Sequence, residues 1–160
     1  MASYERETVV KAPLDRVWEF HSSVDGLEAL TPDFMHLEVR SVVGPDGEPD
    51  PEVLEAGSRV HVNTRPFGVG PGQAWTSVIV ERRGDAESAM FRDVMEDGPF
   101  DRWEHTHRFL AEGEGTRVVD HVEYQLPGGG VGRVLSPLGW LGLEPMFRER
   151  HRRTRKLLGG

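Results

Sequence analysis

Two histidines spaced two residues apart, with an aspartate a short way downstream, are the groups in this chain best suited to chemistry. From Gly98 to Leu126 the sequence alternates through two runs joined by Glu112-Gly113-Glu114-Gly115. Trp103, His105, His107 and Phe109 share one face of the first run; Val118, Asp120, Val122 and Tyr124 share one face of the second. Period two marks strands, and glycine at the joint supplies the positive φ that a two-residue hairpin requires. With Gly113-Glu114 central, opposed residues have numbers summing to 227, so His107 meets Asp120, His105 meets Val122, Phe109 meets Val118 and Trp103 meets Tyr124. Every inward residue then faces an inward residue, and a slip of one destroys that agreement. Opposed Cβ atoms lie about 5 Å apart, which puts Asp120 within bonding reach of His107. Such a pair either satisfies itself as a buried polar contact or acts as an acid/base dyad, Asp120 orienting His107 and fixing its tautomer. The structural use is the commoner one, since ion pairs perturb pKa in scaffolds as well as in sites. His105 has no partner in this register and reads as a satisfied core histidine.

His105, His107 and Asp120, joined by His151 from the last helix, would offer three nitrogens and an oxygen to a zinc ion. Histidines at i and i+2 of a strand are not a diagnostic spacing, and no H-E-x-x-H occurs. The imidazoles are therefore read as hydrogen-bond partners, with no metal and no cofactor expected. The absence of cysteine removes disulfides, thiol nucleophiles and thiolate metal sites. Neither a G-x-S-x-G elbow nor a G-x-x-x-x-G-K-[ST] loop is present. A net charge of −8 argues against nonspecific nucleic-acid binding. From Pro137 to Gly160, six basic residues meet only Glu144 and Glu149. That run reads as a solvated helix face, with contact to an anionic partner the weaker alternative. The first residues lack a signal-peptide pattern and no apolar stretch is long enough to span a bilayer. The expectation is one soluble, cytoplasmic domain over residues 1–160 without stable membrane insertion.

The elements that must hold these groups follow from periodicity and punctuation. Tyr4 to Lys11 is the first strand. Ala12-Pro13-Leu14-Asp15 opens a short helix, proline suiting its first turn, and Ser23 to Leu30 forms a second, stopped by Thr31-Pro32. Met35–Val43, Arg59–Arg65, Gln73–Arg82 and Glu87–Met95 read as further strands. The interruption Pro66-Phe67-Gly68-Val69-Gly70-Pro71-Gly72 is a hairpin connection or a flap at a cavity mouth. Ser136-Pro137 looks like a helix start. Leu143, Phe147, His151, Thr154 and Leu158 fall on one face of the terminal helix, which Pro145 should kink or restart. The order is α+β: about seven antiparallel strands, two short helices after the first, and a long terminal helix.

That order, with Val10-Lys11-Ala12-Pro13-Leu14-Asp15-Arg16-Val17-Trp18 near the start, Phe91-Arg92-Asp93-Val94-Met95, Gly98-Pro99-Phe100 followed by Trp103-Glu104-His105-Thr106-His107-Arg108-Phe109, and Arg150-His151-Arg152-Arg153-Thr154 near the end, resembles the SRPBCC superfamily of START-like, birch-pollen-allergen-like and polyketide cyclase/dehydrase-and-lipid-transport proteins. The resemblance implies a helix-grip fold, a curved sheet wrapped around the terminal helix, with a cavity between them for a hydrophobic or amphipathic small molecule such as a lipid, isoprenoid or polyketide-like aromatic. It does not imply catalysis.

The side chains placed to line such a cavity are Trp75, Phe91, Trp103, His105, His107, Tyr124, Phe147, His151 and Thr154, apolar walls with a few converging polar groups. Binding or carriage of a small molecule is the first expectation. A cyclase/dehydratase-type enzyme using His107 and Asp120 is the alternative, and an interaction module without an occupied cavity is the third.

Overall fold

The computed structural model describes residues 2–159. Strand β1 (Ala2–Val10) is followed by helices α1 (Leu14–His21) and α2 (Val24–Leu30). Strands β2 (Glu38–Val43), β3 (Arg59–Thr64), β4 (Gln73–Gly84), β5 (Ser88–Glu96), β6 (Arg102–Glu112) and β7 (Gly115–Gln125) come next, then helices α3 (Gly129–Leu135) and α4 (Trp140–Leu158). The strands form one antiparallel sheet in the order β1-β7-β6-β5-β4-β3-β2. The chain therefore crosses from one edge to the other through α1 and α2, then returns strand by strand. This is the curved sheet and terminal helix of the helix-grip arrangement.

The hairpin register is the one the alternation predicts: His107 pairs with Asp120, His105 with Val122, Phe109 with Val118 and Trp103 with Tyr124. Gly113 carries the turn at φ 61°, a conformation that costs an L-residue with a Cβ about 1–2 kcal/mol. Helix α2 begins at Val24 behind Ser23, whose hydroxyl caps it by accepting from the Gly26 amide at 3.1 Å.

Helix α4 buries Leu143, Phe147, His151, Thr154 and Leu158, the face read from their spacing. Pro145 lies near its start without ending it, since only one main-chain donor is lost there. The helical segment starts earlier than the sequence indicates. Gly129–Leu135 is already helical, and Ser136 sits inside a continuing 3-10 turn rather than capping α4. Its buried hydroxyl instead accepts from the Leu126 amide (3.0 Å) and donates to the Gly132 carbonyl (2.7 Å), pinning the end of β7 to α3. A Cβ at position 132 would lie 2.3 Å from the Leu126 carbonyl oxygen, so this close approach requires glycine. Tyr4 and Arg6 both bond Glu144, at 2.5 and 2.6 Å, which fastens β1 to α4.

The interior contains two apolar clusters. One centres on Val10, Val17, Val60, Phe91, Phe109 and Val118, the other on Tyr4, Trp103, Val122, Tyr124, Leu143 and Phe147. Along β6 and β7 the layer between Phe109 and Trp103 holds His105, His107 and Asp120 beside Val122, and this layer is the site.

Candidate functional site

Five ionisable side chains meet inside the grip: Asp93 from β5, His105 and His107 from β6, Asp120 from β7 and His151 from α4. Asp120 is almost fully buried. His105 donates through Nε2 to its Oδ1 at 2.7 Å, and His151 donates through Nε2 to its Oδ2 at 2.5 Å. His107 donates through Nε2 to Asp93 Oδ2 at 2.8 Å, while its Nδ1 lies 3.3 Å from Asp120 Oδ1 without forming a hydrogen bond.

The expected Asp120–His107 bond is thus corrected. Asp120 stands opposite His107 in the ladder but bonds His105, and Asp93 stands opposite His105 but bonds His107. Each carboxylate reaches its diagonal neighbour. Strand twist and side-chain length allow this reach, and register alone does not specify it. His105, which the sequence leaves without a partner, has one of the shorter bonds in the cluster.

The rings form a stack. Phe91 lies on His107 at 3.8 Å between centroids, and His107 lies on His105 at 3.6 Å. Phe147 meets His105 edge-on at 5.1 Å and packs on Tyr4 at 5.4 Å. Trp103 is edge-on to His105 at 6.2 Å. Tyr124 and Thr154 are fully buried beside this cluster, and Thr154 returns its hydroxyl to the Arg150 carbonyl of its own helix. Trp75 stands further out on β4, half-buried, its indole donating to Thr64 at 3.1 Å.

Burial alone would raise both aspartates, but their hydrogen bonds and imidazole neighbours prevail. Bonds from His105 and His151 hold the Asp120 carboxyl well below the ordinary range, and the bond from His107 holds Asp93 low. Burial, reinforced by the neighbouring His105, pushes His107 down to about 4 against the pull of Asp93 and Asp120. His107 is therefore neutral near pH 7, with its proton on Nε2 and a buried, unpartnered lone pair on Nδ1. His151 Nδ1 is also buried without a partner. His21, on α1 at the edge of the cluster, donates through Nδ1 to the Val17 carbonyl at 2.8 Å and packs on Phe109 at 4.8 Å. Burial, aided by Arg150, pushes it down to about 3.

On the β1–β7–β6 side, sheet and α4 meet in direct contact through Tyr4, Phe147, His105, Asp120 and His151. The inner face of β4 and β5 is less covered. Trp75, Ser77, Asp93 and Met95 are each only half-buried there. Asp93, with 13% of its side chain exposed, is the most accessible of the five clustered groups. Among the described residues, clefts lie elsewhere. One of about 360 Å3 runs between α2, β2 and the loop at Asp50–Glu52, and one of about 490 Å3 lies on the outer face of β4–β6.

Asp93 was absent from the site as read from sequence, although it shares its strand face with Phe91 and Met95. A carboxylate on an otherwise apolar strand face was the available signal. His21 is the last residue of α1, and its place beside the cluster depends on how α1 docks against the sheet.

Comparison with known proteins agrees with this architecture. Protein TTHA0849 from Thermus thermophilus is 25% identical, with a TM-score of 0.67 over 97% of this chain and 95% of that one. Protein CV1439 from Chromobacterium violaceum is 14% identical, with a TM-score of 0.70 over 100% and 99%. Norcoclaurine synthase from Thalictrum flavum, solved with dopamine and hydroxybenzaldehyde, is 17% identical, with a TM-score of 0.64 over 98% and 86%. No curated protein matches significantly in sequence. The model of the family described as polyketide cyclase / dehydrase and lipid transport matches residues 10–148, and the chain belongs to that family.

Proposed function

We propose that this protein binds a hydrophobic or amphipathic small molecule, a lipid, isoprenoid or polyketide-like aromatic, against the β4–β5 half of the inner sheet face, with the Asp93–His107 pair at its polar end. The observation that carries this reading is the half-burial of Trp75, Ser77 and Met95 next to the most accessible carboxylate of an otherwise buried cluster. An apolar wall with a few convergent polar groups is what a small-molecule site requires. Phe91, Trp103, His105, Tyr124, Phe147, His151 and Thr154 form the packed wall behind it. The 66–72 loop carries Phe67, 71% exposed and stacked on Phe34 at 5.1 Å, and supplies an apolar cover. Family membership supports the reading, as does a structural neighbour solved with two aromatic ligands.

Native mass spectrometry of protein purified from its own host tests this. A retained apolar molecule of defined mass, lost in Trp75→Ala, is the expected result. A wild-type protein that is empty, and that also fails to take up a panel of fatty acids, isoprenoids and aromatic polyketides, overturns it.

His107 favours a second reading. It lies between two carboxylates and bonds the more exposed of them, an arrangement that orients an imidazole for general acid/base work in cyclase- or dehydratase-type chemistry, with Asp93 and Asp120 as its orienting groups. For any substrate found, His107→Gln should then lower turnover at least ~100-fold. Unchanged turnover leaves binding alone.

A further inference from the structure

We propose that Asp93, His105 and His107 form a site for a divalent transition ion of the zinc class, with Asp120 as the carboxylate that orients both imidazoles from behind. This goes beyond the binding reading and does not depend on it. The donor set also differs from the one the sequence offers: Asp93 takes the place of Asp120, and His151 drops back to hold Asp120.

Three observations carry the inference. First, one ligand atom from each of Asp93, His105 and His107 lies within 4.8 Å of the others. Metal–ligand bonds of about 2.0–2.1 Å put tetrahedral ligand atoms about 3.4 Å apart, so the side chains need close by little more than an ångström. Asp93 and His105 are directly paired across β5 and β6, and His107 stands two residues along β6 on the same face, a rigid platform for such a site.

Second, the hydrogen bonding of His107 is internally inconsistent. With Nε2–H donating to Asp93, its Nδ1 lone pair is buried 3.3 Å from the Asp120 carboxylate and has no donor. Moving the proton to Nδ1 aims it at Asp120 Oδ1, 3.3 Å away, which a small rotation of the ring brings to hydrogen-bond geometry, and frees Nε2, which already lies 2.8 Å from Asp93 Oδ2. A cation between Nε2 and Oδ2 stabilises that tautomer and gives both ring nitrogens of His107 a partner. His105 is already arranged this way: its Nε2–H is committed to Asp120 at 2.7 Å, leaving Nδ1 as the lone-pair donor. A carboxylate behind each metal-ligating imidazole is the usual supporting arrangement, and His151 fixes that carboxylate in turn at 2.5 Å.

Third, two ionised carboxylates share this buried layer, and a dication offsets charge that is costly to bury. Three protein ligands leave a fourth coordination position free, as in catalytic rather than structural zinc sites.

The test uses the full chain, stripped with EDTA and equilibrated with Zn2+ alone, then with Co2+ alone as a spectroscopic probe. One Zn2+ per chain is expected, and a visible Co2+ band of four-coordinate intensity. Asp93→Asn and His107→Gln should each abolish stoichiometric binding. Asp120→Asn should weaken it by about 10- to 100-fold. His121→Gln, on the outer face, and Trp75→Ala should leave it unchanged, the latter separating this site from the small-molecule site. If either ligand variant folds poorly, proton NMR of the Co2+-loaded wild type decides, with paramagnetically shifted ring signals expected from two histidines. No stoichiometric binding by the wild type, binding that survives both ligand variants, or the absence of shifted imidazole signals overturns the proposal.

Discussion

His21 should make this protein sensitive to mild acid, in addition to His107, whose folded pKa is also lowered. The folded pKa of His21 is pushed down to about 3 from 6.5. The groups acting on it are Arg150 from α4, which disfavours its proton further, His107 from β6 in the same sense, and Asp120 from β7 in the opposite sense. Because the folded pKa is the lower one, the unfolded chain takes up the proton first as pH falls. The His21 contribution is intact above pH 6.5 and is lost progressively between pH 6.5 and 3. One pKa unit is worth about 1.4 kcal/mol, so the loss is about 2 kcal/mol at pH 5 and about 4 kcal/mol by pH 3, a large part of a domain's stability. His21→Phe keeps the ring against Phe109 and removes the titration. It also forfeits the bond to the Val17 carbonyl, about 1 kcal/mol. The variant should therefore be the less stable protein at pH 7 and the more stable one at pH 5. Urea unfolding followed by tryptophan fluorescence at pH 7, 6 and 5, with EDTA present, measures this directly. His107 titrates in both proteins and cancels in the comparison. Equal loss of stability on acidification in wild type and variant would refute the argument, as would an NMR titration placing the His21 ring proton transition near 6.5.

Four further outcomes follow from the geometry. Asp120→Asn turns an acceptor of two imidazole N–H groups into a half-donor and should cost about 2–4 kcal/mol in urea unfolding. Phe147→Ala, at 1% exposure and touching Tyr4 and His105, should cost about 3–5 kcal/mol by the same measurement. Gly113→Ala should cost about 1–2 kcal/mol through the left-handed turn, with no change in m-value. Tyr4→Phe removes the donor to Glu144 between β1 and α4 and should cost about 1 kcal/mol, read as a lower thermal midpoint.

Much of the fold was legible because its signals are local. Alternation along β6 and β7 with glycine at the joint fixes which residues oppose each other, since a one-residue slip turns every side chain over. Steps of three and four from Leu143 to Leu158 fix the buried face of α4 for the equivalent reason in a helix. The beginning of the terminal helical segment was not legible. Ser136-Pro137 carries the local signature of a helix start, but the Ser136 hydroxyl is used between Leu126 and Gly132, a contact that exists only once β7 and α3 are packed.

The residue types of the site and their common inward face are properties of the sequence: His105, His107 and Asp120 had to point the same way. Which carboxylate each imidazole bonds was decided by tertiary structure. Asp93 enters only through the pairing of β5 with β6, across a loop where Asp97 adopts positive φ and no simple turn rule sets the register. His151 reaches Asp120 only because α4 docks against β1 and β7. Periodicity encodes the direction of a side chain relative to its own backbone. Diagonal reach between twisted strands, and contact between a helix and a sheet far apart in the chain, depend on how several elements share one buried volume, and no local pattern records that.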